Sequence, residues 1–157
     1  MRRAIFLAVV LACAPGARAT STNDACAAPK HVRILTVGNS FAVNATRFLP
    51  ELVAAAGDRL TLQGANLGGC SLERHWRHVL AHTADSNAVA GTPYKLARRP
   101  CSLNELLRQQ PWDVVTLQQF SMLSRDVNSY RPYASNLWAY IRHRAPQARI
   151  WWHQTWA

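Results

Sequence analysis

Acid is scarce in this chain and lysine is nearly absent. Eight Asp and Glu residues face eighteen Lys and Arg, and the only lysines are Lys30 and Lys95. The formal net charge is +10. The arginines are scattered, without the basic, aromatic-interleaved stripe that single-stranded nucleic acid requires, so nucleic acid is not an expected partner. The charge reads instead as solubility with a mild preference for anionic surfaces or polymers. No C-x-x-C pair and no zinc-type spacing occur, so no metal is expected; His78 and His82 have helical spacing but no carboxylate nearby before Asp85. The G-x-G-x-x-G and P-loop patterns are missing too, which sets aside a nucleotide binder and leaves no cofactor expected. After residue 19 no apolar run is long enough to cross a bilayer, and no repeat or low-complexity tract is visible.

The first nineteen residues read as a secretory signal peptide. Arg2 and Arg3 form its basic start, Ala4 to Ala12 its apolar stretch, and Ala17-Arg18-Ala19 a small-x-small cleavage site. An alternative reading takes Val10-Leu11-Ala12-Cys13 as a bacterial lipoprotein box with a lipid anchor on Cys13, although Leu11 fits that box poorly. Both readings export the protein, to the periplasm or the medium. Residues 20–31 are small and polar and form a leader; the domain occupies 32–157. Three cysteines survive cleavage, Cys26, Cys70 and Cys101, in an oxidising compartment, and their pairing is left open.

Within the domain, strands alternate with helices. Val32–Val37 is a β-branched run, and a helix is expected from about Ser40 to Ala56, with Phe41, Ala45, Phe48, Leu52 and Ala55 as its core-facing stripe. Pro50 marks a kink or a break into two short helices. A second strand spans Leu60–Leu67, and Gly68-Gly69-Cys70-Ser71 turns into a helix reaching about Leu80. Residues 82–100 form a polar excursion, read as a small hairpin. Ser102 and Glu105 make a capping box for a helix over Leu103–Gln109. A third strand covers Val114–Gln118, a helix Tyr130–Arg144, and a fourth strand Arg149–Trp156. This alternation predicts an α/β fold with a mainly parallel sheet. The tryptophans Trp138, Trp151, Trp152 and Trp156 read as core, with Trp156 the best candidate for a substrate contact.

In such sheets ligands gather at the C-terminal strand ends, and Ser40, Gly69, Gln118, Gln119 and His153 all fall there. Gly38-Asn39-Ser40-Phe41 puts a serine hydroxyl where strand turns into helix. Ser40 there is either a helix cap or a nucleophile.

Four ordered motifs, Gly38–Phe41, Gly68–Trp76, Gln118–Ser121 and His153–Trp156, resemble a bacterial branch of the SGNH (GDSL-type) hydrolase superfamily. Its usual G-D-S block is G-N-S here. The resemblance implies a flavodoxin-like three-layer α/β/α sandwich. It implies Ser40 as nucleophile and the backbone N–H groups of Ser40 and Gly69 as oxyanion donors. The superfamily's third donor, a side-chain amide in a G-x-N block, has no counterpart; Gln118 or Gln119 would supply it, and alternation along the strand lets only one of them face the site. Asn39, His75, His153 and Trp156 are expected at the substrate pocket. The superfamily's D-x-x-H block, which carries the general base, is missing from these residues. The domain is therefore expected to be the N-terminal portion of a longer one, incomplete at its C-terminus.

The expected activity is that of an exported serine esterase, taking acyl groups from a carbohydrate or other small ester through an acyl-enzyme on Ser40. The rival expectation is a non-catalytic glycan-binding protein or an inactive fragment. Substrate and oligomeric state are not legible.

Overall fold

The computed structural model describes residues 28–155. The signal segment, Cys13, Cys26 and Trp156 lie outside them. The main sheet has four strands, β1 (His31–Gly38), β2 (Arg59–Asn66), β5 (Val114–Gln118) and β6 (Arg149–His153), all parallel and ordered β2-β1-β5-β6. Between them lie α1 (Ser40–Ala45), α2 (Leu49–Ala55), α3 (Leu72–Ala84), α4 (Leu103–Arg108) and α5 (Tyr133–Arg144). An antiparallel hairpin of β3 (Tyr94–Leu96) and β4 (Arg99–Cys101) fills the predicted excursion. The expected α/β fold with a parallel sheet is the one observed.

The chain steps from β1 to β2 in one direction and from β2 across β1 to β5 in the other. Right-handed crossovers then put α1 and α2 on one face and α3 and α4 on the other, where α5 packs against both. That second face carries the core: Leu35 and Val37 of β1, Val115 and Leu117 of β5, Leu72 and Val79 of α3, Leu137 and Ile141 of α5. Trp112 is fully buried and donates its indole N–H to the Leu106 carbonyl at 2.8 Å, so its ring is buried with no orphaned polar atom.

Local sequence explains the element ends. Ser71 accepts from the Arg74 N–H at 3.2 Å and starts α3, which runs four residues past the expected Leu80. Ser102 and Glu105 form the capping box of α4 as expected. The segment ahead of Pro50 breaks into two helices, with Pro50 at the second position of α2, where its missing N–H costs nothing.

Two expectations about burial are corrected. Of the stripe read as core-facing on α1 and α2, Phe41 is half-buried, but Ala45, Phe48, Leu52 and Ala55 point outward, with Phe48 62% and Leu52 66% exposed. Ala42, Thr46, Leu49 and Val53 are the more buried set. Both stripes have helical spacing, and the turn that launches α1 decides which meets the sheet. The second correction concerns tryptophan. Trp138, Trp151 and Trp152 are each about half exposed, not core; Trp138 lies under the Arg142 guanidinium and Trp152 meets Tyr130 edge-on. No helix among the described residues is long and apolar enough to cross a membrane.

Candidate functional site

At the C-terminal end of β1 the chain turns sharply, and the polar groups of Asn39, just before Ser40, are all spoken for. Asn39 is the helix cap: its Oδ1 accepts from the Phe41 N–H at 3.1 Å, and its Nδ2 donates to the Cys70 carbonyl at 3.1 Å. The Asn39 N–H donates to Gln118 Oε1 at 3.3 Å. Ser40 is therefore not the cap. It is exposed, and neither its hydroxyl nor its N–H has a hydrogen-bond partner among the described residues.

A second clamp comes from α3. His75 is fully buried, and its Nε2 lies 3.0 Å from the Gly38 carbonyl. A carbonyl only accepts, so Nε2 carries the proton. Nδ1 then accepts from the Tyr94 hydroxyl at 2.8 Å. Burial lowers the His75 pKa to about 4 against the pull of the Gly38 carbonyl, with His78 and Arg74 lowering it further, so the ring is neutral near pH 7. Burial pushes the Tyr94 phenol up and keeps it a donor. His75 was expected at the pocket, but both ring nitrogens face inward partners. It holds the turn instead.

The two glutamines divide as alternation requires. Gln119 is fully spent: Oε1 accepts from Leu72 N–H at 3.0 Å and Phe120 N–H at 2.9 Å, while Nε2 donates to the Ser129 carbonyl and hydroxyl at 2.9 and 3.0 Å. It fastens the start of α3 to the loop after β5 and has no donor left for a substrate. Gln118 is fully buried beneath the turn, and its Nε2 has no partner among the described residues.

A cavity of about 550 Å³ opens beside Ser40, lined by Asn39, Val43, Asn44 and Arg47 on one side and Asn66, Leu67 and Gly68 on the other. Asn39, expected at the substrate pocket, contributes to this wall, with its amide committed to the Phe41 N–H and the Cys70 carbonyl. Gly68 lines the cavity and Gly69 follows it, exposed at φ +57°, with its N–H unengaged among the described residues. The Asn39–Cys70 bond ties this loop to the serine turn. Arg47 is the one charged side chain in the lining; its guanidinium lies over the Phe48 ring and forms no ion pair among the described residues.

His153 is half-buried at the end of β6, in register with Gln118. It is absent from the cavity lining, and two strand spacings, roughly 10 Å, separate β6 from β1. The remaining expected contact, Trp156, lies outside the described residues. Sequence reasoning missed Asn66, Leu67, Arg47 and Tyr94. Asn66 and Leu67 end a strand beside β1, which the parallel pattern made findable; Tyr94 enters from the hairpin, and no local signal pointed there. Cys70 and Cys101 are both buried free thiols, and burial raises the Cys70 pKa to about 11.

Comparison with solved structures places the chain beside a DUF4886 family protein from Bacteroides uniformis ATCC 8492, at 28% identity and a TM-score of 0.64 over 81% of this chain and 51% of that one. The chain thus spans about half the length of that protein. A protein from Slackia heliotrinireducens proposed to be an SGNH hydrolase aligns at 20% identity and a TM-score of 0.48, over 80% of this chain and 57% of that one. No curated protein matches the chain. Residues 33–157 match a domain of unknown function, DUF4886, and the chain belongs to that family.

Proposed function

We propose that the protein is an exported serine ester hydrolase of the SGNH type, forming an acyl-enzyme on Ser40. The observation that carries this reading is the division of labour at the turn. Asn39 does the capping, which leaves the Ser40 hydroxyl exposed and without a partner beside a 550 Å³ cavity. The unengaged N–H groups of Ser40 and Gly69 suit an oxyanion, and the Gln118 amide, whose Nε2 has no partner among the described residues, is the candidate for the third, neutral donor. In the reaction Ser40 Oγ attacks the ester carbonyl, its proton passes to a base, and the alkoxide leaves with a proton. Water then repeats the sequence on the acyl-enzyme.

His75 cannot serve as that base, since its proton-bearing nitrogen is bonded to the Gly38 carbonyl and its other nitrogen to Tyr94. A D-x-x-H block, expected for the superfamily, would supply it. The substrate class we propose is an acylated carbohydrate or another small ester.

An alkyl fluorophosphonate tests this on the protein expressed from its complete reading frame. Peptide mass spectrometry is expected to find the adduct on Ser40, with labelling lost in Ser40→Ala while the unfolding temperature stays unchanged. A well-folded protein that takes no label overturns the esterase reading and favours the non-catalytic, glycan-binding one.

A further inference from the structure

A second cleft lies where the C-terminal ends of α4 and α5 come together. The ends of these helices lead into β5 and β6, so the cleft sits at the opposite edge of the sheet from Ser40. It has a volume of about 310 Å³ and is lined by Asn104, Arg108, His143 and Arg144. No carboxylate lines it. Neighbouring cavities share its walls: one of about 420 Å³ also takes in Asn104 and Arg108, and one of about 460 Å³ takes in Arg108 and Arg144. The one acid among the residues lining these three cavities, Glu105, is already paired with Arg99 at 2.8 Å.

Arg144 is held in place before any ligand arrives. Its Nε donates to Asn104 Oδ1 at 2.8 Å, and its guanidinium carbon lies 3.5 Å from the centre of the Tyr140 ring. Its guanidinium also forms a side-chain hydrogen bond with the Tyr140 hydroxyl, whereas the side chains of Arg108 and His143 remain without partners among the described residues. Basic residues at a helix C-terminus commonly cap its last carbonyls. Here Arg142 donates instead to the Ala148 carbonyl in the turn beyond α5, at 3.2 Å, and Arg108 makes no hydrogen bond to a carbonyl among the described residues. A planar guanidinium fixed by Asn104 and Tyr140, a second arginine with an unengaged fork in the same cleft and no carboxylate in its lining form a receptor for a tetrahedral oxyanion.

We infer that this cleft binds a phosphate or sulfate group. The joined cavities favour such a group carried on a polymer over the free ion, because the shared Arg108 wall lets neighbouring anionic groups sit side by side. The site is independent of the Ser40 chemistry and does not rest on it.

Isothermal titration with inorganic phosphate, inorganic sulfate and a sulfated oligosaccharide tests the inference on the full chain. Arg108 is exposed, so Arg108→Gln is expected to fold normally and to weaken binding about tenfold, with Arg108→Lys recovering part of the loss. Arg98→Gln, an exposed arginine at the hairpin tip, is expected to leave affinity within about twofold. Tighter binding of the oligosaccharide than of either ion supports the polymer form; equal affinity supports a free-ion site. Absence of binding, or equal losses in Arg108→Gln and Arg98→Gln, overturns the site.

Discussion

Three elements converge on two residues at the serine turn. β5 supplies Gln118 to the Asn39 N–H, α3 supplies His75 to the Gly38 carbonyl, and the loop after β2 supplies the Cys70 carbonyl to the Asn39 amide. Space at Gly38 is correspondingly short: a Cβ there would lie 2.5 Å from Gln118 Oε1 and 3.2 Å from the Ala42 Cβ. Gln118 is buried and bonded to the turn, so it cannot swing away without releasing the Asn39 N–H. Gly38→Ala is therefore expected to cost about 1–3 kcal/mol in urea denaturation; a change under half of that would mean the turn relaxes freely. His75 makes a second residue-scale prediction. Its pKa falls from the ordinary 6.5 to about 4 on folding, so between those values the unfolded chain binds the extra proton. Stability then drops as pH falls from about 6.5 toward 4, by up to about 3 kcal/mol, and is insensitive to this group above pH 7. His75→Gln should flatten that limb, leaving the acid loss due to the Arg99- and Ser102-held carboxylate of Glu105. Parallel pH profiles for the two proteins would show that His75 is not the titrating group.

At the scale of elements, the strain sits in the β3–β4 hairpin. Its two-residue turn puts Ala97 at φ +49° and Arg98 at φ +71°, where a Cβ is unwelcome. Asparagine and glycine suit these positions. The double change Ala97→Asn with Arg98→Gly is expected to raise stability by about 1 kcal/mol, read as an increase in the unfolding midpoint. The hairpin matters because it delivers Tyr94 to His75, and through His75 to the serine turn. A lowered midpoint would show that the side chains of Ala97 and Arg98 contribute more than their backbone strain removes.

At the scale of the whole molecule, the faces and margins of the sheet are unequal. One face is covered by α3, α4 and α5 with a continuous core, while the other carries the two short helices α1 and α2, whose outer side exposes Phe48 and Leu52. Among the described residues β6 forms one margin of the sheet, and Trp151 and Trp152, on opposite faces of it, are 55% and 49% exposed. Aromatic side chains on a margin with unpaired backbone groups favour edge-to-edge association. The 157-residue chain is expected to self-associate in a concentration-dependent way during sedimentation, and Trp151→Lys is expected to reduce it. A concentration-independent monomer would count against this reading.

Periodicity and turn chemistry were enough to place the four parallel strands, an interruption of the first helix at Pro50, the capping box at Ser102 and the gathering of polar residues at one sheet edge. These follow from forces acting within a few residues, so they are written locally. Packing settled the rest. Asn39 and Ser40 are adjacent small polar residues, and either suits a cap; the Cys70 carbonyl, brought from 31 positions away, engages the Asn39 amide and leaves Ser40 free. Gln118 and Gln119 were interchangeable on paper until Ser129 and Leu72 took one of them. His75 looked like a pocket residue because its motif flanks the glycines, yet a hairpin tyrosine turns it inward. The outward stripe of α1 and α2 and the exposed tryptophans have the same origin. Spacing identifies an apolar face, but only the neighbouring elements determine whether anything lies against it.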